Sequence, residues 1–210
     1  MSKIEDVKVL VESGKSKKIA AAVQEALDVG DKAQDILNAM VASMGVVGDK
    51  FSAGEIFVPE MLIAAKAMSK GVEVLKTVMA GDASSSLGTC IMGTVAGDLH
   101  DIGKNLVIMM LESSGFDMVD LGVDVPAEKF VQAVKENDNV VLVACSGLLT
   151  TTMPALKEAV QTVKTVFPDM KVIVGGAPVT LEYATEIGAD GYASDAGSAA
   201  VKAKEIIGAS

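Results

Sequence analysis

The sequence predicts an α/β protein in which an N-terminal bundle of about four helices precedes a doubly wound, five-stranded parallel sheet of flavodoxin-like or Rossmann-like type. Three observations predict this. Apolar side chains recur at helical spacing up to about residue 79. Residues 81–88 then interrupt all periodicity with small and polar side chains. Beyond them, five short apolar runs alternate with helical patterns, which is typical of a parallel sheet covered by helices.

The first part of the chain carries helical stripes in succession. A short segment over residues 4–10 precedes two longer stripes, and Gly30-Asp31 is predicted to end the first of these and to cap the second. After a glycine-containing turn over 51–58, Pro59 is predicted to open a third long helix, in a first-turn position that proline tolerates. The apolar stripes are Ile19, Val23, Ala26 and Leu27, then Ile36, Leu37, Met40, Val41 and Met44, then Met61, Leu62, Ala65, Met68, Val72 and Leu75.

The second part alternates predicted strands with predicted helices. We expect a helical domain over 1–81, a linker over 82–88 and an α/β domain over 89–210, with strand order 2-1-3-4-5. In such a sheet the ligand binds outside the carboxyl ends of the strands, where the order reverses between strands one and three. The predicted strands cover 89–95, 118–121, 140–145, 172–174 and 191–193, and the predicted helices lie near 103–114, 127–136, 153–166, 180–187 and 196–207.

Composition excludes several classes of function. A net charge of −10 argues against nucleic-acid binding, which needs clustered Lys and Arg. No segment resembles a signal peptide or a membrane span, and apolar runs such as 140–144 are far too short for one. The two cysteines, Cys90 and Cys145, fall in predicted buried strands without metal-site spacing, which indicates a reducing compartment. We therefore expect a cytoplasmic protein with no nucleic-acid or membrane partner.

Polar and glycine residues follow four of the predicted strands at the expected ligand edge. The only histidine of the chain, His100, lies in Gly-Asp-Leu-His-Asp-Ile-Gly-Lys-Asn (97–105) after the first strand, with a carboxylate two residues before it. Imidazole suits a borderline transition metal, and such ligands usually have a carboxylate partner. The other segments are Ser146-Gly-Leu148 with threonines at 150–152, Gly175-Gly176, and Ala-Ser-Asp at 193–195. Taken singly, each has a simpler explanation as a hydrogen-bonded histidine, a tight turn or a helix cap.

The spacing of these segments matches a known pattern. Asp-x-His-x-x-Gly is followed after 42 residues by Ser-x-Leu and after 26 more by Gly-Gly. This arrangement resembles the cobalamin-binding domain of methionine synthase and of the corrinoid proteins of methyltransferase systems. Phe51 and the stretch Phe-Val-Pro-Glu-Met (57–61) also resemble the cap that lies over the corrin in that family. Carbon-skeleton mutases share the α/β domain without this cap, so the resemblance favours the methyl-transfer branch.

The resemblance implies a role for each residue of the first motif. His100 would replace the cofactor's own benzimidazole as the lower axial ligand of cobalt, and Asp98 would bond the other ring nitrogen. Gly103 would open the slot that receives the displaced nucleotide tail. The family's proton relay continues to a hydroxyl six residues after the serine of Ser-x-Leu, which is Thr152 here rather than a serine.

The resemblance also assigns the remaining site residues. The slot would be lined by Ser146 and Leu148, and the tail would pass close to the backbone of Gly175 and Gly176. The upper face of the corrin would be covered by Phe51, Val58 and Met61. A mobile linker would let this cap swing aside when the methyl group is transferred.

The function implied is that of a methyl-carrying corrinoid protein with cobalamin or a related corrinoid. The cofactor accepts a methyl group on cobalt and passes it on, while the protein ligates, shields and docks. The chain has no room for a catalytic barrel of about 250 residues. We therefore expect a non-autonomous subunit that serves a substrate-specific corrinoid methyltransferase, a second methyltransferase acting on tetrahydrofolate or a thiol coenzyme, and a reductive activase. Methylamines and quaternary amines are favoured as donors, with methanol and methoxylated aromatics left open.

Two alternatives belong to other classes. A regulatory module that senses cobalamin would be expected to carry a DNA-binding or signalling domain, and no basic helix-turn-helix segment is visible in the sequence. A flavodoxin-like domain with a structural His100 would leave the matched spacing unexplained.

Overall fold

The computed structural model describes residues 2–79 and 86–209. The chain divides into two compact units, a helical unit and a sheet unit. Of the predicted linker, residues 82–85 lie outside the described residues, and residues 86–88 form no regular secondary structure. The helical unit consists of Met1–Ser86 and Ser113–Gly115, and the sheet unit consists of Leu87–Glu112 and Phe116–Ser210.

Within the described part of the helical unit there are four helices, as the sequence predicts. They are α1 (Ile4–Glu12), α2 (Ile19–Asp28), α3 (Ala33–Ser52) and α4 (Val58–Met79). Each predicted stripe supplies fully buried side chains, among them Ile19, Ile36, Met40, Met61 and Leu75. The packing is close enough that a Cβ at Gly71 of α4 would approach the Met40 Cε of α3 to 2.3 Å. Burial of these apolar stripes is what holds the short helices in place.

Two details of the helical unit correct the sequence prediction. Gly30 ends α2 with a positive φ of 95°, but Asp31 does not cap the next helix. Its carboxylate instead accepts hydrogen bonds from the Lys3 backbone N–H (2.8 Å) and the Ser2 hydroxyl (3.2 Å) at the start of α1. The predicted turn over 51–58 is shorter, because α3 continues to Ser52 and Gly54, with φ +73°, ends it.

The sheet unit confirms the predicted topology. Its five strands are all parallel and lie in the order β2-β1-β3-β4-β5. The strands are β1 (Thr89–Thr94), β2 (Asp117–Asp120), β3 (Val140–Ser146), β4 (Lys171–Gly175) and β5 (Gly191–Ala193). The helices are α5 (Ile102–Ser113), α6 (Ala127–Glu136), α7 (Met153–Val166), α8 (Leu181–Ile187) and α9 (Ala196–Ile207).

Helices cover both faces of this sheet. Because side chains alternate along a strand, each strand supplies two cores. Ile91 of β1 and Val143 of β3 face α6, α7 and α8, whereas Cys90 and Leu142 face α5 and α9. Both cysteines are free and buried, as predicted. None of the helices in the described ranges is both long and apolar enough to cross a lipid bilayer.

The fold brings the loops after β1, β3, β4 and β5 to one edge of the sheet. The order reverses between β1 and β3, so the loops that carry His100 and Ser146 leave the sheet side by side. This edge is where open α/β sheets bind their ligands.

Candidate functional site

The loop between β1 and α5 is fixed by hydrogen bonds at several points. The Gly97 N–H donates to the Asp124 carboxylate (2.7 Å), and the Asp124 N–H donates back to the Asp98 carbonyl (2.9 Å). The Thr94 hydroxyl donates to the His100 carbonyl (2.9 Å). Gly97 has φ +79°, which a side chain would disfavour. The backbone therefore sets the positions of Asp98 and His100 before any ligand binds.

The Asp98 carboxylate lies at the centre of the site and is fully buried. Its Oδ1 accepts from the backbone N–H (3.0 Å) and the ring Nδ1 (2.8 Å) of His100. Its Oδ2 accepts from the Leu148 N–H at 2.6 Å and lies 3.3 Å from the Thr152 hydroxyl. The carboxylate thus connects the loop after β1 to the loop after β3.

These contacts keep Asp98 ionised. Burial alone would raise the pKa of its carboxyl, but hydrogen bonds from the Leu148 N–H, the His100 N–H and the His100 ring together outweigh the burial and lower that pKa below its ordinary 3.8. An ionised Asp98 accepts only, so the Nδ1 of a neutral His100 ring must carry the proton.

His100 is suited to hold a metal through its second ring nitrogen. With the proton on Nδ1, the lone pair lies on Nε2, and the side chain is 52% exposed. Within residues 2–79 and 86–209 no group of three or more His, Cys, Asp or Glu side chains could hold a metal ion. A metal bound here would have to bring most of its ligands with it, as the cobalt of a corrin macrocycle does. The residues present therefore fit a corrinoid.

The Thr152 hydroxyl reaches the Asp98 carboxylate, as the sequence motif implies, although the contact is long at 3.3 Å. It is buried in the 3-10 turn over Thr150–Thr152 that precedes α7. Its single hydroxyl proton has a closer acceptor in the Leu149 carbonyl (2.9 Å) than in Asp98 (3.3 Å). It makes no side-chain cap of α7. Its contact with the carboxylate is thus weaker than that of the Leu148 N–H.

A cavity of about 110 Å³ lies between the sheet and helices α5 and α9. Gly103, Ser146, Gly175 and Gly176 all line it, together with apolar side chains such as Val107. A Cβ at Gly103 would meet no atom within 4 Å, so this glycine borders open space. The cavity has the position of the slot that the sequence motifs predict.

Close backbone packing explains the glycine pair. A Cβ at Gly176, where φ is +132°, would lie 1.8 Å from the Gly147 carbonyl oxygen, and one at Gly175 would lie 2.9 Å from the Ala193 carbonyl oxygen. Both glycines are needed for the loops after β3, β4 and β5 to lie against one another.

Other predicted site residues lie elsewhere. Leu148 is not among the described residues that line the cavity, and it reaches the site through its backbone N–H. In the helical unit, Phe51 is partly buried in the last turn of α3, and Met61 is fully buried in α4. Val58 starts α4 and is 36% exposed. Coverage of a corrin by these three side chains stays a prediction.

Sequence reasoning missed three contributors to the site. Asp124 fixes the Gly97 N–H, the Leu148 N–H bonds the central carboxylate, and the buried Lys104 pairs with Asp120 at the end of β2 (2.6 Å). Backbone donors leave no trace in residue identity, and no spacing motif connects Lys104 to Asp120. The one sequence signal for the pair of Lys104 and Asp120 is a lysine within an otherwise apolar helical stripe.

Comparison with known proteins places this geometry in a family. A family model described as a B12 binding domain matches residues 88–201, and a second model of the same description matches residues 3–76. Dimethylamine corrinoid protein 1 of Methanosarcina acetivorans is 43% identical over 192 residues, which are 90% of each chain. The trimethylamine corrinoid protein of Methanosarcina barkeri is 45% identical over 188 residues, covering 87% of this chain and 86% of that protein.

Solved structures agree with the sequence relatives. A cobalamin-binding protein from Desulfitobacterium hafniense superposes with a TM-score of 0.83 at 30% identity, covering 97% of this chain and 98% of that one. A chain of the methanol:cobalamin methyltransferase complex of Methanosarcina barkeri gives a TM-score of 0.83 at 30% identity, covering 99% and 80%. The fold class, the family resemblance and the corrinoid cofactor predicted from the sequence are confirmed. This chain belongs to the B12-binding family of corrinoid proteins.

Proposed function

We propose that this protein carries a methyl group on the cobalt of a bound corrinoid between two methyltransferases. The single observation that supports this most strongly is the His100 ring, bonded at Nδ1 to a buried, ionised carboxylate and bearing its lone pair on Nε2 at the ligand edge of the sheet. When bound, the corrinoid supplies a cobalt centre that accepts and releases a methyl group. The residues of the chain bind, orient and shield it.

His100 would hold the cobalt of the corrinoid through Nε2 in this proposal. Asp98 fixes the ring tautomer and, by accepting the hydrogen bond from Nδ1, would raise the electron density of the imidazole, so Nε2 becomes a stronger donor. The Leu148 N–H holds Asp98 in turn, and the Thr152 hydroxyl makes a longer contact with it. Backbone donors thus fix the orientation of the His100 ring through Asp98.

The cavity beside α5 receives the nucleotide tail of the corrinoid. Gly103 leaves its mouth open, Ser146 supplies a hydroxyl, and the backbone at Gly175 and Gly176 forms one wall. Leu148 is not among the described lining residues; its N–H donates to Asp98, and the residue is 39% exposed.

In this proposal Phe51, Val58 and Met61 of the helical unit would shield the bound corrinoid. The second B12-binding family match, over residues 3–76, supports a cofactor-related role for this unit. Met61 is fully buried, so its part is to support the neighbouring apolar residues, of which Phe57 is 69% exposed.

Methylamines are the methyl donors that we favour. The curated relatives with 43% and 45% identity are named for dimethylamine and trimethylamine. The structural neighbour from the methanol system, at 30% identity, is more distant. The partners would be a methylamine-specific corrinoid methyltransferase, a second methyltransferase acting on tetrahydrofolate or a thiol coenzyme, and a reductive activase. Two free buried thiols suit a reducing compartment, so we place these reactions in the cytoplasm.

Reconstitution with hydroxocobalamin tests the proposal. The full chain should retain one corrinoid through gel filtration, and its cobalt(II) form should show hyperfine coupling to one histidine nitrogen in electron paramagnetic resonance. His100→Ala should abolish this coupling, whereas Asp101→Asn, an exposed neighbour, should keep it. A wild-type protein that emerges colourless, or an unchanged coupling in His100→Ala, would contradict the proposal.

Methyl transfer then separates the donors. The reduced, reconstituted protein should be methylated by dimethylamine or trimethylamine in the presence of the matching methyltransferase, and methanol with its own methyltransferase is the control. Methylation from methanol alone would overturn the proposed donor class and leave the carrier function standing.

A further inference from the structure

Lys104 is a buried cation next to the proposed cofactor site. Its side chain is only 3% exposed, whereas the other described lysines in ion pairs are between 23% and 44% exposed. Its Nζ donates to both carboxylate oxygens of Asp120 (2.7 and 2.6 Å) and to the Asn105 side-chain oxygen (2.7 Å). All three donor hydrogens of the ammonium group are therefore used.

This contact fixes the first turn of α5 against the end of β2. The helix begins at Ile102, two residues after His100, and successive helical residues point about 100° apart. Gly103 accordingly borders the cavity while Lys104 is directed at Asp120. Asp120 is itself held by the Gly122 N–H at 2.9 Å. The pair sets both the position and the rotation of this turn.

The same turn is connected to the loop that carries His100. The Asn105 N–H donates to the Asp101 carbonyl at 2.8 Å, so a shift of the turn would move the residue that follows His100. An ion pair that buries a lysine contributes little net stability, because desolvation offsets most of the attraction, and an apolar side chain of similar size often stabilises a protein equally well. What the pair adds is a defined geometry.

We propose that Lys104 is a positioning residue, whose ion pair with Asp120 holds His100 and Gly103 in the arrangement that ligation and tail binding require. The inference rests on the proposed function, since it assigns a purpose to the orientation of His100. Lys104 is not among the described residues that line the cavity, and its ammonium group points at Asp120, so it acts through the turn.

Lys104→Met is the test variant, and Lys164→Met is its matched control. Methionine keeps the apolar stem of lysine, and the remaining Asp120 is 43% exposed and returns to water. Lys164 forms an equally short ion pair (2.6 Å) with Asp190, which precedes β5 at the opposite edge of the sheet. Both variants remove one lysine from one ion pair, but only one of the pairs lies beside the site.

The first readout needs no cofactor. His100 is the only histidine, so the ring signals in the nitrogen-15 spectrum of the apo-protein report on this site alone. Lys104→Met should shift or split these signals and accelerate hydrogen exchange of the Asn105 amide by roughly 10-fold. Lys164→Met should change neither. If Lys104→Met folds too poorly to measure, Asp120→Asn should give the same changes to a smaller extent.

The second readout uses protein loaded with hydroxocobalamin and reduced to cobalt(II). The equilibrium constant for ligation by His100 should fall by roughly 3–10-fold in Lys104→Met. This is less than the 10–100-fold loss that is typical when a direct partner of a metal ligand is removed. Equal values in both lysine variants, together with unchanged ring signals, would overturn the positioning role. Absence of nitrogen coupling in the wild type would refute the proposed ligation instead, and the apo-protein readout would still decide whether Lys104 orients the loop.

Discussion

Asp98→Asn tests the site most sharply, because it changes chemistry without changing shape. The amide must point its NH2 group either at the Leu148 N–H, 2.6 Å from Oδ2, or at His100, whose N–H and Nδ1 lie 3.0 and 2.8 Å from Oδ1. A backbone N–H accepts no hydrogen bond, whereas the Nδ1 of a neutral imidazole does. We therefore expect the NH2 group to face His100.

This orientation reverses the ring tautomer. Nδ1 becomes the acceptor and the proton moves to Nε2, which then has no lone pair for a metal. The His100 N–H loses its acceptor, at a cost of about 1–3 kcal/mol, and the bond from Leu148 falls from charge-assisted to neutral, at a further cost of about 1 kcal/mol. The free energy of unfolding should therefore fall by about 2–4 kcal/mol in the apo-protein.

Two measurements decide the outcome. Nitrogen-15 spectra of the single histidine in alkaline buffer should show the proton on Nδ1 in the wild type and on Nε2 in Asp98→Asn, and urea unfolding should show the loss of stability. Asp101→Asn removes a neighbouring exposed carboxylate and should change neither. A variant that keeps the proton on Nδ1, or that loses less than about 0.5 kcal/mol, would refute the claim that Asp98 sets the tautomer.

Three further outcomes follow from the same geometry. The free energy of unfolding of Gly176→Ala should be lower than that of the wild type by more than about 3 kcal/mol in urea titration. Its Cβ would lie 1.8 Å from the Gly147 carbonyl oxygen, and its φ is +132°. A smaller loss of unfolding free energy would mean that the loops separate easily. Gly103→Leu should keep wild-type stability, because a side chain there enters open space in the cavity. The same side chain should weaken hydroxocobalamin binding at least about 10-fold in spectroscopic titration. Unchanged affinity would show that the nucleotide tail binds elsewhere. The lowered pKa of Asp98 adds stability that is complete above the unfolded pKa of 3.8 and is lost as pH falls through the lower folded pKa. The unfolding free energy of the wild type should therefore fall below about pH 4 more steeply than that of Asp98→Asn. Parallel curves for the two proteins would contradict this assignment.

The sequence predicts the fold well because its signals are local. Alternation of short apolar runs with helical stripes locates all five strands to within a residue or two, and the order β2-β1-β3-β4-β5 is the flavodoxin-like order expected for five successive βα repeats. Errors occur where a long-range contact competes with a local preference. Aspartate commonly caps helices, but the start of α1 lies close enough to Asp31 for the Lys3 backbone N–H to bond its carboxylate instead.

The sequence predicts those parts of the site that can be identified from residue type and spacing. His100, Asp98 and the glycine pair are identified by type and spacing, and the structure brings His100 and Asp98 within 2.8 Å of each other. Asp124 and Lys104 act through partners distant in sequence, with no spacing that identifies them. Such contacts depend on which loops meet at the edge of the sheet.

Threonine can stand at position 152 in place of the expected serine, because Asp98 is held mainly by another group. Its shortest hydrogen bond comes from the Leu148 N–H at 2.6 Å, and the Thr152 hydroxyl, at 3.3 Å, has a closer acceptor in Leu149. Backbone donors are present whatever side chain occupies a position, so the ionised state of Asp98 depends little on the residue at 152. Thr152→Val should therefore leave the ring tautomer of His100 unchanged in the nitrogen-15 spectrum, whereas Asp98→Asn reverses it. A reversal in Thr152→Val would show instead that the hydroxyl, despite its longer contact, governs the charge of the pair.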